Sequence, residues 1–324
     1  MLKLILLDKN PFKSASSARS AVAVLFFLLY SETFNNFISR KHSLIVSFTH
    51  CIIEHNMETL KLSIQNHIAQ VTINRPDKMN ALNQTAWDEI TEVFEYLDEN
   101  ADVRVVVLEG GESKNFCAGI DLSLLMSVSQ NNGKCEGRKR EKLRKNVLKL
   151  QAPINAIENC SKPVLVAIHG GCIGGGIDLV CGCDMRYCTD DAYFTIKEID
   201  MGMVADLGTL QRLPKLIGEG MVREMAYTGR NVDGREAERI GIVNRSFSDK
   251  STMMEEVIKI AETIAQKSPL SIRGTKHILL HTRDHSVADG LNYMATWNAA
   301  MLLSADLQEA FEAKMGKRDG VFEG

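Results

Sequence analysis

The sequence lacks several features that would place it in a class at once. It contains no CxxC pair, and its eight cysteines have no even spacing; Cys181 and Cys183 stand a single residue apart. Disulfide frameworks belong mainly to small secreted domains that cannot build a core. A chain of 324 residues with 45% hydrophobic content can bury one large core or two smaller ones. The cysteines are therefore expected to be reduced and packed as small apolar residues. Cys172, Cys181, Cys183 and Cys188 fit no standard zinc spacing, so no metal is expected. No sign of charge dominates: a net charge of -3 with 24% charged residues gives no bulk attraction to nucleic acid and no acidic tail. The longest unbroken apolar run, Ala21 to Tyr30, is about half of what a membrane-spanning helix needs, so no membrane span is expected. No repeat at a solenoid period occurs.

The first 56 residues differ from the rest. They carry no glycine, are rich in serine and phenylalanine, and set Lys3, Lys9, Lys13, Arg19, Arg40 and Lys41 against only Asp8, Glu32 and Glu54. Residues 1–56 are expected to be a targeting presequence or a disordered extension, with a natural start at Met57. The basic composition favours a mitochondrial address, and the terminal "VFEG" is not an S-K-L type peroxisomal signal. Residues 57–250 read as the main folded unit and 251–324 as a helical region.

Within that unit the pattern is regular. "LKLSIQNHIAQVTINR" alternates around Asn66 and predicts a β-hairpin. "NQTAWDEITEVFEYLDEN" predicts a helix capped by Asn83, with Trp87, Ile90, Val93, Phe94 and Leu97 on one face. "VRVVVLEG" and "KPVLVAIHG" are continuous apolar runs, as buried parallel strands require. Arg138 to Lys145 form a basic run that reads first as the solvated face of a helix, with attraction of a phosphorylated ligand as the other reading. Shorter strands follow in "DMRYC" and "AYFTI". After Lys250 the spacing predicts two long helices, Thr252 to Lys267 and Val287 to Gly316. Strands alternating with helices make this an α/β protein.

Each buried run leads into a glycine-bearing loop, "CAGID" (Cys117, Ala118, Gly119, Ile120, Asp121) and "GGCIGGGID" (Gly170 to Asp178). Glycine allows a ligand to approach the backbone closely, and the first N–H groups of a helix lack internal partners. Two such loops on neighbouring strands can aim two N–H groups at one oxygen, as an oxyanion hole does. Neither loop has the G-x-G-x-x-G register, and no Walker A motif is present. Tight turns without a ligand are the competing reading. Downstream lie Glu198, Asp200 and Asp206 among apolar and small residues, where an acid is costly unless it is paired or does chemistry. Asp200 reads as structural, pairing with a base such as Arg212. Asp206 could equally cap the helix that follows it. His169 reads as a turn residue.

"NRPDKMNAL", "FCAGIDL", "HGGCIGGGIDLVCGCDMRYC" and "GTLQRLP" together resemble the crotonase superfamily, the enoyl-CoA hydratase/isomerase family, from about Thr59 onward. The resemblance implies a crotonase-like spiral of ββα repeats and a C-terminal helical trimerisation region that builds trimers or dimers of trimers. It also implies an acyl-CoA substrate and no separate cofactor, since CoA is part of the substrate. By motif position the thioester carbonyl would meet the N–H groups of Ile120 and Gly175, with Cys117, Ala118, Gly119 and Asp121 forming the rest of that loop. Asp178 and Glu198 stand where the family places acids, Glu198 being expected at the end of the strand "AYFTIK". At the position of Asp206 the hydratases carry a small residue, and the block from His169 to Pro214 is similar to 3,5-2,4-dienoyl-CoA isomerases. That likeness implies Glu198 as the base at C2, Asp206 as the acid at C6, and Asp178 tuning Glu198. It also implies a mitochondrial or peroxisomal setting. Arg75 and Lys78 could meet CoA phosphates. The alternatives are an enoyl-CoA hydratase and, since one branch of the family binds RNA, an RNA-binding member using Arg138 to Lys145.

Overall fold

The computed structural model describes residues 43–47, 52–129 and 135–323. Within the 1–56 stretch, β1 (Ser43–Ser47) and β2 (Ile52–Asn56) pair antiparallel, and β2 continues onto β3 (Leu60–Gln65). β3 turns through Asn66 and His67 into β4 (Ile68–Ile73). Both turn residues have positive φ, 52° and 66°, the pair of left-handed conformations that a two-residue hairpin needs. Helix α1 (Gln84–Glu99) begins where expected, with the Asn83 side chain accepting from the Ala86 N–H. Its five predicted face residues are all at most 1% exposed.

The chain then runs through β5 (Val105–Glu109), α2 (Leu122–Ser129), α3 (Glu136–Asn159), β6 (Val164–Ile168), β7 (Gly171–Ile173) and α4 (Gly175–Cys181). It continues with β8 (Met185–Thr189), β9 (Tyr193–Thr195), α5 (Thr209–Arg212), α6 (Glu219–Thr228), β10 (Val232–Asp233), α7 (Gly234–Ile240) and β11 (Arg245–Phe247). The large sheet has the order β1-β2-β3-β4-β5-β6-β8-β11, and a small sheet has the order β10-β9-β7. Consecutive strands β6 and β7, then β8 and β9, contribute one strand to each sheet, which is how the chain advances as a spiral. The large sheet is antiparallel up to β4 and parallel from β4 to β11.

The central parallel strands β5 and β6 are buried on both faces, which explains their unbroken apolar runs. Val106, Leu108, Val164 and Val166 join Trp87 and Phe94 in one core. Val105, Val107, Leu165 and Ala167 pack against Met253 and Val257 in the other. Each large side chain so buried stabilises the fold by about 1.5–3 kcal/mol.

The C-terminal region corrects the sequence reading. It forms four helices rather than two: α8 (Lys250–Ala265), α9 (Pro269–Arg283), α10 (Val287–Met301) and α11 (Ala305–Gly316). Ser268 caps α9 with Pro269 at its first turn, and Ser304 caps α11, which divides the expected Val287 to Gly316 helix. Gly274 leaves room on α9 for the Trp297 indole of α10, since a Cβ there would lie 2.7 Å from its Nε1. Lys276 ties α9 to the sheets by donating to the Asp184 carboxylate at 2.7 Å and the Lys162 carbonyl at 3.0 Å. Among the described residues no helix is long and apolar enough to cross a membrane.

Candidate active site

The two glycine loops meet because they form a short ladder of their own. The Cys117 N–H donates to the Gly171 carbonyl at 3.1 Å, and the Ile173 N–H donates to the Cys117 carbonyl at 3.0 Å. Two glycines make the approach possible. Gly119 has φ +87°, and a Cβ there would lie 2.9 Å from the Ile173 carbonyl oxygen. Gly174 has φ +50°, and its Cβ would meet a Glu198 carboxylate oxygen at 3.1 Å.

The result is a pair of unused donors. Gly175 opens α4, so its N–H has no partner within the helix. Ile120 lies beside it: the Cβ position of Gly175 is 3.5 Å from the Ile120 nitrogen and 3.5 Å from the Trp87 ring. Neither N–H donates to any group among the described residues. The other loop residues are engaged within the fold. Ala118 donates to the Met79 carbonyl, Gly119 donates to the Cys117 sulfur, and Asp121 accepts from Ser123 and pairs with Arg75 at 3.2 Å. Arg75, considered for CoA phosphates, is thus held by Asp121, while Lys78 is exposed.

Asn80 was not singled out by the sequence reading, yet it holds the first loop. It is fully buried, with its side-chain amide donating to the carbonyls of Gly110, Asn115 and Phe116 and its oxygen accepting from the Arg75 N–H. It adopts a left-handed φ of 57°, which asparagine tolerates, so the asparagine itself is the local signal the sequence offers.

Glu198 does not end a strand. It opens a single 3-10 turn, Glu198–Met201, after β9 has stopped at Thr195. Its Oε2 is buried without a partner among the described residues. Burial pushes its carboxyl up to about 7, and the charges of Asp178 and Asp206 add to the rise. Asp178 is 1% exposed, and its Oδ1 accepts both the N–H and the hydroxyl of Thr209 at 2.7 Å. Burial lifts it to about 6, against the pull of those two hydrogen bonds. Asp206 is exposed, and partial burial raises its carboxyl above the usual aspartate value. Its backbone carbonyl accepts from Gln151 at 2.6 Å. Asp206 does not cap α5: the N-cap is Gly208, with no side-chain cap.

Asp200 pairs with Lys197 at 2.9 Å, not with Arg212, whose guanidinium is taken by Glu158 and Asn155 from α3. His169 bonds the Ser113 carbonyl, and burial lowers its pKa, which keeps it a neutral turn residue. The basic run on α3 is exposed, with Lys139 and Lys145 pairing to Glu136 and Glu141 one turn away. Cys117, Cys160, Cys172, Cys181, Cys183 and Cys188 are buried free thiols. No group of three or more His, Cys, Asp or Glu placed to hold a metal ion occurs among the described residues.

A cleft of about 320 Å³ opens beside Glu198, walled by Ile196, Met203, Val204, Leu210 and Val222. The arrangement offers two donors for one oxygen, a poised carboxylate next to them, and an apolar space beyond.

Comparison with known proteins identifies the family. Residues 63–324 match the family described as enoyl-CoA hydratase/isomerase. The chain is 48% identical over 268 residues to the peroxisomal Delta(3,5)-Delta(2,4)-dienoyl-CoA isomerase of Arabidopsis thaliana, spanning 82% of this chain and 96% of the relative. It is 46% identical to the mitochondrial Delta(3,5)-Delta(2,4)-dienoyl-CoA isomerase of Homo sapiens, over 80% of each chain. The crystal structure of an enoyl-CoA hydratase from Bacillus anthracis superposes with a TM-score of 0.73 at 27% identity, covering 88% of this chain and all of that one. The chain belongs to the enoyl-CoA hydratase/isomerase family, the crotonase superfamily.

Proposed function

We propose that this protein isomerises 3,5-dienoyl-CoA to 2,4-dienoyl-CoA in the β-oxidation of unsaturated fatty acids. The observation that carries the mechanism is the Glu198 carboxylate, buried with one oxygen unpartnered, against Gly174 and next to the free N–H groups of Ile120 and Gly175. The two donors hold the thioester carbonyl and stabilise negative charge on its oxygen, which makes the C2 proton acidic. Glu198, with a carboxyl near neutrality, removes that proton. The dienolate then takes a proton at C6 from Asp206, and the double bonds shift into conjugation with the carbonyl. C2 and C6 are four bonds apart, so two carboxyl groups at different places suit the transfer better than one. Asp178 stays beside Glu198 and sets its basicity. The reaction only relocates protons, so no redox cofactor enters it. The apolar cleft accepts the hydrocarbon part of the substrate.

The names of the relatives at 48% and 46% identity support the same substrate class. Their mitochondrial and peroxisomal descriptions fit a β-oxidation compartment, and the basic, acid-poor first segment favours the mitochondrion. Leu291, Leu303, Phe311 and Met315 expose apolar surface on and beside the last two helices, which supports assembly as a homotrimer or a dimer of trimers. Incubation with a 3,5-dienoyl-CoA and, separately, a 2-enoyl-CoA tests the function. Growth of the absorbance of a diene conjugated with the thioester carbonyl is the expected result with the first. Hydration of the second without any diene formation would move the protein to the hydratases.

A further inference from the structure

The buried pair of hydrogen bonds between Thr209 and Asp178 has no part in the steps above, and neither residue of the pair lies near the other in sequence. Thr209 is the first residue of α5 and is 1% exposed. Its N–H and its hydroxyl both point at one oxygen of Asp178, at 2.7 Å each. Asp178 sits on α4, three residues after Gly175, and is itself 1% exposed. A carboxylate so buried tends to take up a proton unless donors hold its charge.

We propose that Thr209 is a positioning residue of this site, which keeps the Asp178 carboxylate charged and fixed beside Glu198. This rests on the reading of Glu198 and Asp206 as the reacting pair. The groups facing Asp178 leave Thr209 as its principal support. Asp206, from the loop before α5, and Glu198, from the 3-10 turn, carry like charge. Cys117 and Cys181, whose thiols burial pushes up to about 12, stay neutral. Arg212 on α5 is the one favourable charge acting on Asp178 among these groups, and its guanidinium is engaged with Glu158. With Asp178 ionised, the reacting pair holds its proton more tightly. With Asp178 neutral, that repulsion is gone, and the pH range of activity moves down.

The test uses the full chain with Thr209→Val, which removes the hydroxyl, and Thr209→Ser, which retains it. The titration of Asp178 is followed by carboxyl infrared difference spectra assigned with Asp178→Asn, and the diene-forming rate is measured across pH. In Thr209→Val, Asp178 should titrate about one pH unit or more higher, and the rate profile should move to lower pH, with both restored in Thr209→Ser. An unmoved Asp178 titration, or a rate that falls evenly at all pH values, would overturn the proposal and leave Thr209 as a helix-start residue. If the titration moves and the rate profile does not, Thr209 keeps its role, and the assignment of Glu198 and Asp206 to the profile fails. If Thr209→Val does not fold, Asp178→Asn decides: it keeps an acceptor for Thr209 while removing the charge, so an unmoved rate profile there overturns the proposal.

Discussion

Replacing Glu198 with glutamine should abolish the reaction and, at the same time, make the protein more stable in mildly alkaline solution. Glu198 loses hydration on folding and gains no partner for Oε2, while Asp178 and Asp206 repel its charge. Its carboxyl therefore titrates at about 7 in the folded protein, against an ordinary 4.5. Between those values the folded state binds more proton than the unfolded state, so stability falls as pH rises. The contribution is present below the unfolded value and is lost as pH climbs through the folded one. From these two values, the wild type loses about 2.5 kcal/mol between about pH 5 and about pH 8. Glutamine cannot titrate, so Glu198→Gln escapes that loss. Urea unfolding of both proteins at the two pH values, at one fixed protein concentration, measures the difference. The stability gap should open in favour of the variant toward alkaline pH, by roughly 2–3 kcal/mol. Parallel pH dependence in the two proteins would refute the reasoning, because the carboxylate would then be as comfortable folded as unfolded.

Two further substitutions address the donors and their support. Gly175→Ala should fold, since its Cβ would stand at an ordinary 3.5 Å from the Ile120 nitrogen and the Trp87 ring; yet a methyl group that close to the Ile120 N–H should crowd a carbonyl held between the two donors, and turnover of a 3,5-dienoyl-CoA should fall about 10²–10³-fold. Asn80→Ala strands three carbonyls that now share one buried amide, and thermal or urea unfolding should show a loss of about 1–3 kcal/mol, with turnover reduced because the Cys117 to Asp121 loop loses its clip.

Much of this was legible in the sequence where the cause is local. The α1 face from Trp87 to Leu97, the Asn83 cap and the Asn66 turn follow from periodicity and from what asparagine does at chain reversals. The continuous runs of β5 and β6 announced strands buried on both faces. The convergence of two glycine loops followed from their matching places after neighbouring strands. What stayed hidden depends on partners distant along the chain. Asn80 meets Gly110, Asn115 and Phe116 at least 30 residues away, and Thr209 meets Asp178 across 31. The partner of Asp200 was misread for the opposite reason: Lys197, three residues back, becomes its neighbour only because the chain makes a 3-10 turn there instead of extending a strand. In the C-terminal region the Ser268-Pro269 start signal and the Ser304 cap were both present in the sequence, and neither was read as a helix start.

The acids differ in burial, and that difference bears on which of them can exchange a proton with substrate. Asp178 is sealed and hydrogen-bonded, Glu198 is half-buried with one bare oxygen, and Asp206 reaches solvent with its carboxylate capping no helix. Isomerisation starts and ends with one proton on the Glu198–Asp206 pair: it is on Asp206 at the start and on Glu198 at the end, and both carboxyls are protonated only while the dienolate carries the negative charge. Burial raises both carboxyls, and the charge of Asp206 opposes ionisation of Glu198, so the two do not titrate independently. The diene-forming rate should therefore be bell-shaped in pH, with limbs that belong to the pair and not to either residue. Asp206→Asn removes the C6 donor but leaves the two N–H groups and the C2 base. Diene formation should drop by at least about 10²-fold, while exchange of the C2 hydrogen with deuterated solvent persists. That exchange should follow a single rising curve with its midpoint below about 7, because Glu198 no longer feels the charge of Asp206. Near wild-type diene formation in Asp206→Asn would dispose of the two-carboxyl transfer and leave Glu198 to serve both carbons.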